Sequence, residues 1–188
     1  MQLIQKYIDG LSHCLKELIE QDIEEIANTI TVASRDTKQV FIMGNGGSAT
    51  TASHFAQGLK TGAAVARNPR IRATSLTDNI AIITAIANDK DYASIFKEQL
   101  VDQLERGDIV IGISASGNSP NVLKAIEFAN SEGAITIGLI GFGGGRLKDI
   151  AAKSIILSSR DYGQVEDAHL CLAHIISYLV REKIADGK

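Results

Sequence analysis

The sequence predicts an α/β protein with a doubly wound parallel sheet, and three observations carry that prediction. Short apolar runs at 40–43, 108–113 and 135–140 alternate with segments of helical periodicity, as strands do in a parallel sheet covered on both faces. The first two of these runs stop abruptly in loops of Gly, Ser and Asn, at the strand ends where open α/β sheets hold their ligands. No repeat or low-complexity segment breaks the alternation, and 188 residues suit one domain, 1–188, whose first 34 residues form a helical extension.

Residues 3–33 read as helix, because Leu3, Ile4, Ile8, Leu11, Leu15, Leu18, Ile19, Ile23, Ile26 and Ile30 recur at helical spacing. Gly10 and the pair Gln21 and Asp22 are the expected points of division. A short strand over 40–43 runs into Gly44, Asn45, Gly46, Gly47 and Ser48, with a helix over 49–60 behind it. Residues 72–76 read as a second strand, and 79–87 and 91–105 as helices. The strand over 108–113 leads into Ser114, Ala115, Ser116, Gly117, Asn118 and Ser119. Pro120 then opens a helix over 120–132, at a position that tolerates its missing N–H. A strand over 135–140 ends in Gly141, Phe142, Gly143, Gly144 and Gly145. A short helix over 146–152, a last strand over 154–157 and a long helix over 164–184 complete the chain.

Composition removes several classes of function. The net charge is −3 and no dense basic run occurs, so no broad attraction to nucleic acid is expected. No apolar run approaches the ~20 residues of a membrane span, and the N-terminus lacks the apolar core of a signal segment. The cytoplasm is the expected location. The two cysteines, Cys14 and Cys171, have neither metal-ligand spacing nor a disulfide framework, and read as small buried hydrophobes.

The two loops carry the chemistry. Gly44, Gly46 and Gly47 allow tight turns and Ser48 can cap the next helix, while Ser114, Ser116 and Ser119 set three hydroxyls around Gly117 and Asn118. Free N–H groups at a helix N-terminus favour a phosphate, and the helix dipole adds to this. Capping and turn formation alone account for either loop taken singly. Two such loops in one small sheet point instead to a bound phosphate. Neither loop has the G-x-G-x-x-G spacing of a dinucleotide site or the Lys-Ser/Thr of a P-loop.

The segments GNGGSATTASHFAQGL and GISASGNSPNVLKAIEFA resemble the sugar isomerase (SIS) domain family, and within it the phosphoheptose isomerases. SLTDN followed by IAIITAIANDKDYASIF, and the later VEDAHLCLAHII, extend the resemblance over nearly the whole chain. It implies a flavodoxin-like five-stranded sheet, an N-terminal helical extension for oligomerisation, and a homotetramer with active sites at subunit interfaces. It also implies that Ser114, Ser116 and Ser119 grip the sugar phosphate, with Asn118 in the same loop, and that Asn45, Gly46, Gly47 and Ser48 line the sugar site. Asp78 either lines that site or caps a helix, as do Asn88 and Asp89.

Aldose–ketose isomerisation moves a proton between adjacent carbons through an enediol and needs an acid and a base beside them. The resemblance implies a histidine on the C-terminal helix, matched here to His169, and a glutamate on the helix after the Gly-rich loop. That glutamate position is Gly58, preceded by Gln57. Glu166, three residues before His169 on one helix, is the candidate replacement base. Some relatives bind zinc, and His54, Glu166 and His169 are the corresponding His, Glu, His set here. The plainer readings are an i,i+3 surface pair for Glu166 and His169 and a packing role for His54. His13 and His174 are assigned to structure. Arg67, Arg70 and Arg72 form a small basic group, read as a solvated loop or as a hold on anionic substrate.

The leading expectation is an enzyme that converts sedoheptulose 7-phosphate to D-glycero-D-manno-heptose 7-phosphate. One alternative is a non-catalytic SIS regulator that binds the replication initiator, which Gly58 favours. Another is an isomerase of a different sugar phosphate.

Overall fold

The structure is a computed structural model that describes residues 2–62 and 71–186. Its sheet has five parallel strands: β1 (Gln39–Gly44), β2 (Arg72–Ser75), β3 (Ile109–Ser114), β4 (Ile135–Ile140) and β5 (Lys153–Ile156). Their order is β2-β1-β3-β4-β5, the flavodoxin-like arrangement, with the switch point between β1 and β3. Gly44 pairs with Ile113 across that switch, so the Gly-rich and Ser-rich loops leave the sheet side by side.

Strand alternation divides the core into two layers. Val40, Ile42, Ile109, Ile111, Ile113, Ile137 and Leu139 face one side. There they meet the apolar stripes of α2 (Glu20–Arg35), α3 (Gly47–Gly62) and α8 (Tyr162–Ala185), with Cys14 of α1 (Gln2–Lys16). Phe41, Met43, Val110 and Ile140 face the other side, against α5 (Lys97–Val101), α6 (Pro120–Ser131) and α7 (Gly145–Ile150). On this second face Gly112 pairs with Gly138. A Cβ at Gly112 would lie 2.8 Å from Val122 Cγ1, so the paired glycines let α6 settle close on the sheet. The segment read as an extension is thus half core: α2 buries Ile23, Ile26, Ala27 and Ile30, while α1 exposes Leu3, Ile4 and Ile8.

Two helix boundaries differ from the sequence reading. The N-terminal helix divides at residues 17–19 and not at Gly10. A Cβ at Gly10 would collide with the Gln164 side chain, so this glycine serves the approach of α8 to α1. The segment 91–105 is not one helix but a 3-10 turn, Tyr92–Ser94, followed by α5. Ser94 donates to Asp91 Oδ1 at 2.7 Å, a local bond that competes with helix continuation. The break also turns the consecutive residues Ile95 and Phe96 both inward. Between β2 and this turn lies α4 (Ile80–Asp89), an apolar helix with no buried residue.

Candidate active site

The two loops meet α8 above the switch point. Asn45, Ser48, Ser114, Ala115, Ser116 and Ser119 line a pocket of about 140 Å³ over Ile113, closed on one side by Tyr162 and Glu166 of α8. Five of the substrate-binding residues expected from the sequence are therefore together, with the expected base beside them. Tyr162 was not foreseen; its ring stands edge-on to Phe142, with centroids 4.6 Å apart.

The Ser-rich loop holds itself in shape. Gly117, at φ +65°, donates its N–H to Ser114 Oγ at 3.1 Å, and Asn118 N–H donates to Ser116 Oγ at 3.2 Å. Asn118 lies outside the pocket lining: its Nδ2 donates to the Ser116 carbonyl, and its Oδ1 accepts the Arg146 N–H at 2.9 Å. It ties the loop to the start of α7. Ser119 holds the N-cap position of α6 but makes no cap bond; its hydroxyl meets Ser114 Oγ at 3.1 Å. That hydroxyl, at the N-terminus of a 12-residue helix, is positioned for a phosphate oxygen.

The Gly-rich loop is shaped from outside. Gly46 takes φ +56° with open space where a Cβ would stand. A Cβ at Gly47 would overlap the Glu166 carboxylate, so glycine is what lets that carboxylate rest on the first turn of α3. The positive end of α3 favours an anion there. Ser48 is not the cap of α3, because the helix already begins at Gly47 and Ser48 turns inward to line the pocket. Asn45 is fixed by Asn121 of α6 and by Tyr92, neither foreseen from the sequence.

His169 requires correction. It is 0% exposed, and neither ring nitrogen has a partner in good hydrogen-bond geometry, the Ile140 backbone making at most a weak contact. Burial pushes its pKa down to about 4, with the Ile140 backbone pulling the other way. The physical reason is helical phase: Val165, Ala168, Leu172, Ala173 and Ile176 form the buried stripe of α8, and His169 falls within it. Glu166 stands off that stripe, so the i,i+3 pair does not converge. His174, assigned above to structure, is the exposed one, and its ring meets His54 edge-on with centroids 4.8 Å apart.

The expected metal set of His54, Glu166 and His169 is not assembled. Among the described residues no three His, Cys, Asp or Glu side chains come together to hold a metal ion. His54 lies with His174, Glu166 over Gly47 and His169 in the core, so no step below runs through a metal. Gly58 faces α8: a Cβ there would stand 3.1 Å from Ser177 Oγ, the tip of a side chain that a small shift accommodates. Asp78 accepts the Ser53 hydroxyl beside Thr77 and does not line the pocket. Asn79, not Asp78, caps α4, accepting the Ile82 N–H. Arg72 donates to the Thr37 carbonyl and Gln39 Oε1, a structural role. Arg67 and Arg70 lie outside the described residues.

A family model described as the SIS domain matches residues 6–141. The phosphoheptose isomerase of Trichlorobacter lovleyi is 39% identical over 182 residues, 97% of this chain and 88% of that protein. That of Geobacter metallireducens is 37% identical over 160 residues, 85% of this chain and 84% of that protein. The structure of a phosphoheptose isomerase from Francisella tularensis superposes with a TM-score of 0.89 at 25% identity, covering 97% of this chain and 96% of that one.

Proposed function

The chain belongs to the SIS domain family, and from its site we infer that it is a phosphoheptose isomerase acting on sedoheptulose 7-phosphate. The observation that carries this reading is the pocket itself. Serine hydroxyls at the N-terminus of α6 stand on one side, and the Glu166 carboxylate rests over Gly47 on the other. The phosphate takes the serine end, where hydroxyls and the N-terminus of α6 face it, and like charges keep it from Glu166. The sugar then extends past Asn45 and Ser48 toward the carboxylate.

Glu166 takes the proton from C1 of the open-chain ketose. The C–H electron pair forms the C1–C2 double bond, and the carbonyl pair moves to O2. The enediol collapses when the proton returns to C2 and the hydroxyl proton leaves O1, giving the aldehyde. We assign the transfer between O1 and O2 to His174, the histidine of α8 that reaches solvent, with His54 against its ring. His174 lies eight residues beyond Glu166, about 12 Å along the helix, so the two reach the same C1–C2 unit from two copies of the chain, across a subunit boundary.

A single-chain pocket of about 140 Å³ is small beside the roughly 300–1,000 Å³ of common ligand sites. A second copy completing it fits a homotetramer with interface sites. The apolar helix α4, with Ile80 73% exposed, and the outer face of α1, with Leu3 79% exposed, supply contact surfaces. No helix among the described residues is long and apolar enough to cross a membrane. With two free cysteines, Cys14 and Cys171, the cytoplasm is the proposed location.

The test is to follow sedoheptulose 7-phosphate by NMR with purified protein. Appearance of the aldose heptose 7-phosphate is expected. Saturating binding with no conversion would overturn the enzyme and return the regulator reading to first place.

A further inference from the structure

Asn45 shares its side-chain amide with two residues that have no place in the chemistry above, and their geometry decides what it offers a ligand. The Val122 backbone N–H can only donate, and it lies 3.0 Å from Asn121 Oδ1. That fixes which end of the Asn121 amide faces its own helix, in a residue only 1% exposed. With Oδ1 fixed, Asn45 Nδ2 donates to it at 2.9 Å and Asn121 Nδ2 donates back to Asn45 Oδ1 at 2.8 Å. Turning the Asn45 amide over would set N–H against N–H and oxygen against oxygen. Tyr92 then donates its hydroxyl to the same Asn45 Oδ1 at 3.1 Å.

Both acceptor positions of Asn45 Oδ1 are therefore filled, and one of its two N–H donors is used. What remains is one N–H on a residue that lines the pocket, opposite a carboxylate that can only accept. We propose that Asn121 and Tyr92 are positioning residues that lock Asn45 as a pure hydrogen-bond donor, aimed at the carbonyl oxygen of the open-chain sugar. The inference rests on the isomerase reading for its substrate. When Glu166 removes the C1 proton, the carbonyl electron pair moves to O2, and the remaining Asn45 N–H holds the charge that forms there. The charge leaves O2 when the O1 proton is transferred to it, and the O1 pair then forms the aldehyde as the proton returns to C2. The donor thus interacts most strongly with the enediolate.

The test compares wild type, Asn121→Asp and Tyr92→Phe by two readouts. These are turnover of sedoheptulose 7-phosphate, and calorimetric Kd values for a hexonohydroxamate 6-phosphate (an enediolate mimic whose N–O replaces C1–O1) and for inorganic phosphate. Aspartate keeps the shape of Asn121 but replaces its donor with an oxygen, so Asn45 Oδ1 faces a carboxylate oxygen in either orientation of its amide and the lock is lost. Loss of one oxyanion donor costs about 10²–10³ in kcat, and that loss is expected in kcat and hydroxamate affinity, with KM and phosphate affinity within about threefold. Tyr92→Phe, at an exposed position that folding does not depend on, is expected to lose about fivefold in both, the equivalent of one neutral hydrogen bond. Either variant keeping wild-type kcat and hydroxamate affinity would overturn the proposal, as would a loss of phosphate affinity equal to the loss of hydroxamate affinity. A wild type that binds the hydroxamate tightly without turning over substrate, and loses that binding in Asn121→Asp, leaves the locked donor standing and removes the isomerase reading instead.

Discussion

Two edges of one helix, five residues apart, hold a histidine each and put them to opposite uses. On the inner edge of α8, His169 sits among Val165, Ala168, Leu172 and Ala173, without solvent and without a well-formed hydrogen bond at either nitrogen. On an outer edge, two turns beyond Glu166, His174 reaches solvent and meets His54. The residue type is the same, and so is the helix. What separates a core imidazole from a chemical one is phase against the sheet, which adjacent sequence does not reveal but the whole buried stripe of α8 does.

The sharpest way to break this contrast is on the outer edge. Glu166→Gln keeps the shape and removes the base, and kcat is expected to fall by about 10³, within the range of lost acid–base catalysis. Steady-state kinetics with sedoheptulose 7-phosphate read this, and a variant retaining a tenth of wild-type kcat would remove Glu166 from the reaction.

The inner edge answers to pH. His169 has a folded pKa of about 4 against an ordinary 6.5, so the unfolded chain binds its proton first as pH falls. The stabilisation from keeping it neutral is complete above about pH 6.5 and is lost as pH drops toward 4, by about 3 kcal/mol in all. Urea unfolding at pH 7 and pH 4.5 should show a larger acid loss for wild type than for His169→Met. Parallel losses in the two proteins would mean that the ring is not buried neutral.

Gly47→Ala tests how the outer edge reaches the site. The added methyl occupies the place of the Glu166 carboxylate and displaces it by about 1 Å or more, which is expected to cost about 10² in kcat. Unchanged kinetics would show that the carboxylate works from elsewhere. The smallest effect is expected at the far end of the pocket. Ser119→Ala removes a hydroxyl that does not cap α6 and should raise KM about tenfold with kcat little changed, as for one charge-assisted hydrogen bond. A changed kcat with constant KM would move the phosphate away from this loop.

The sheet was legible because parallel strands buried on both faces, such as Ile109–Ser114 and Ile135–Ile140, read as unbroken apolar runs. The Ser-rich loop was legible for a related reason, since Ser114, Ser116, Gly117 and Asn118 shape one another within six residues. The Gly-rich loop was only half legible. Gly47 is there for a carboxylate 119 positions away, and Asn45 is held by Asn121 and Tyr92 from two other elements. No local pattern carries such contacts. Gly58 has its nearest side-chain neighbour, Ser177 of α8, 119 positions away, a proximity invisible until both helices are placed.

The most direct measurement sets the two histidines of α8 side by side, with kcat for sedoheptulose 7-phosphate measured at pH 7.5 in His174→Gln and His169→Met. His174→Gln is expected to lose at least about 10², in the range of a lost acid–base group, with unchanged thermal stability. Folded His169→Met is expected to keep kcat within about threefold of wild type. A fully active His174→Gln beside an inactive but folded His169→Met would reverse the roles of the two histidines.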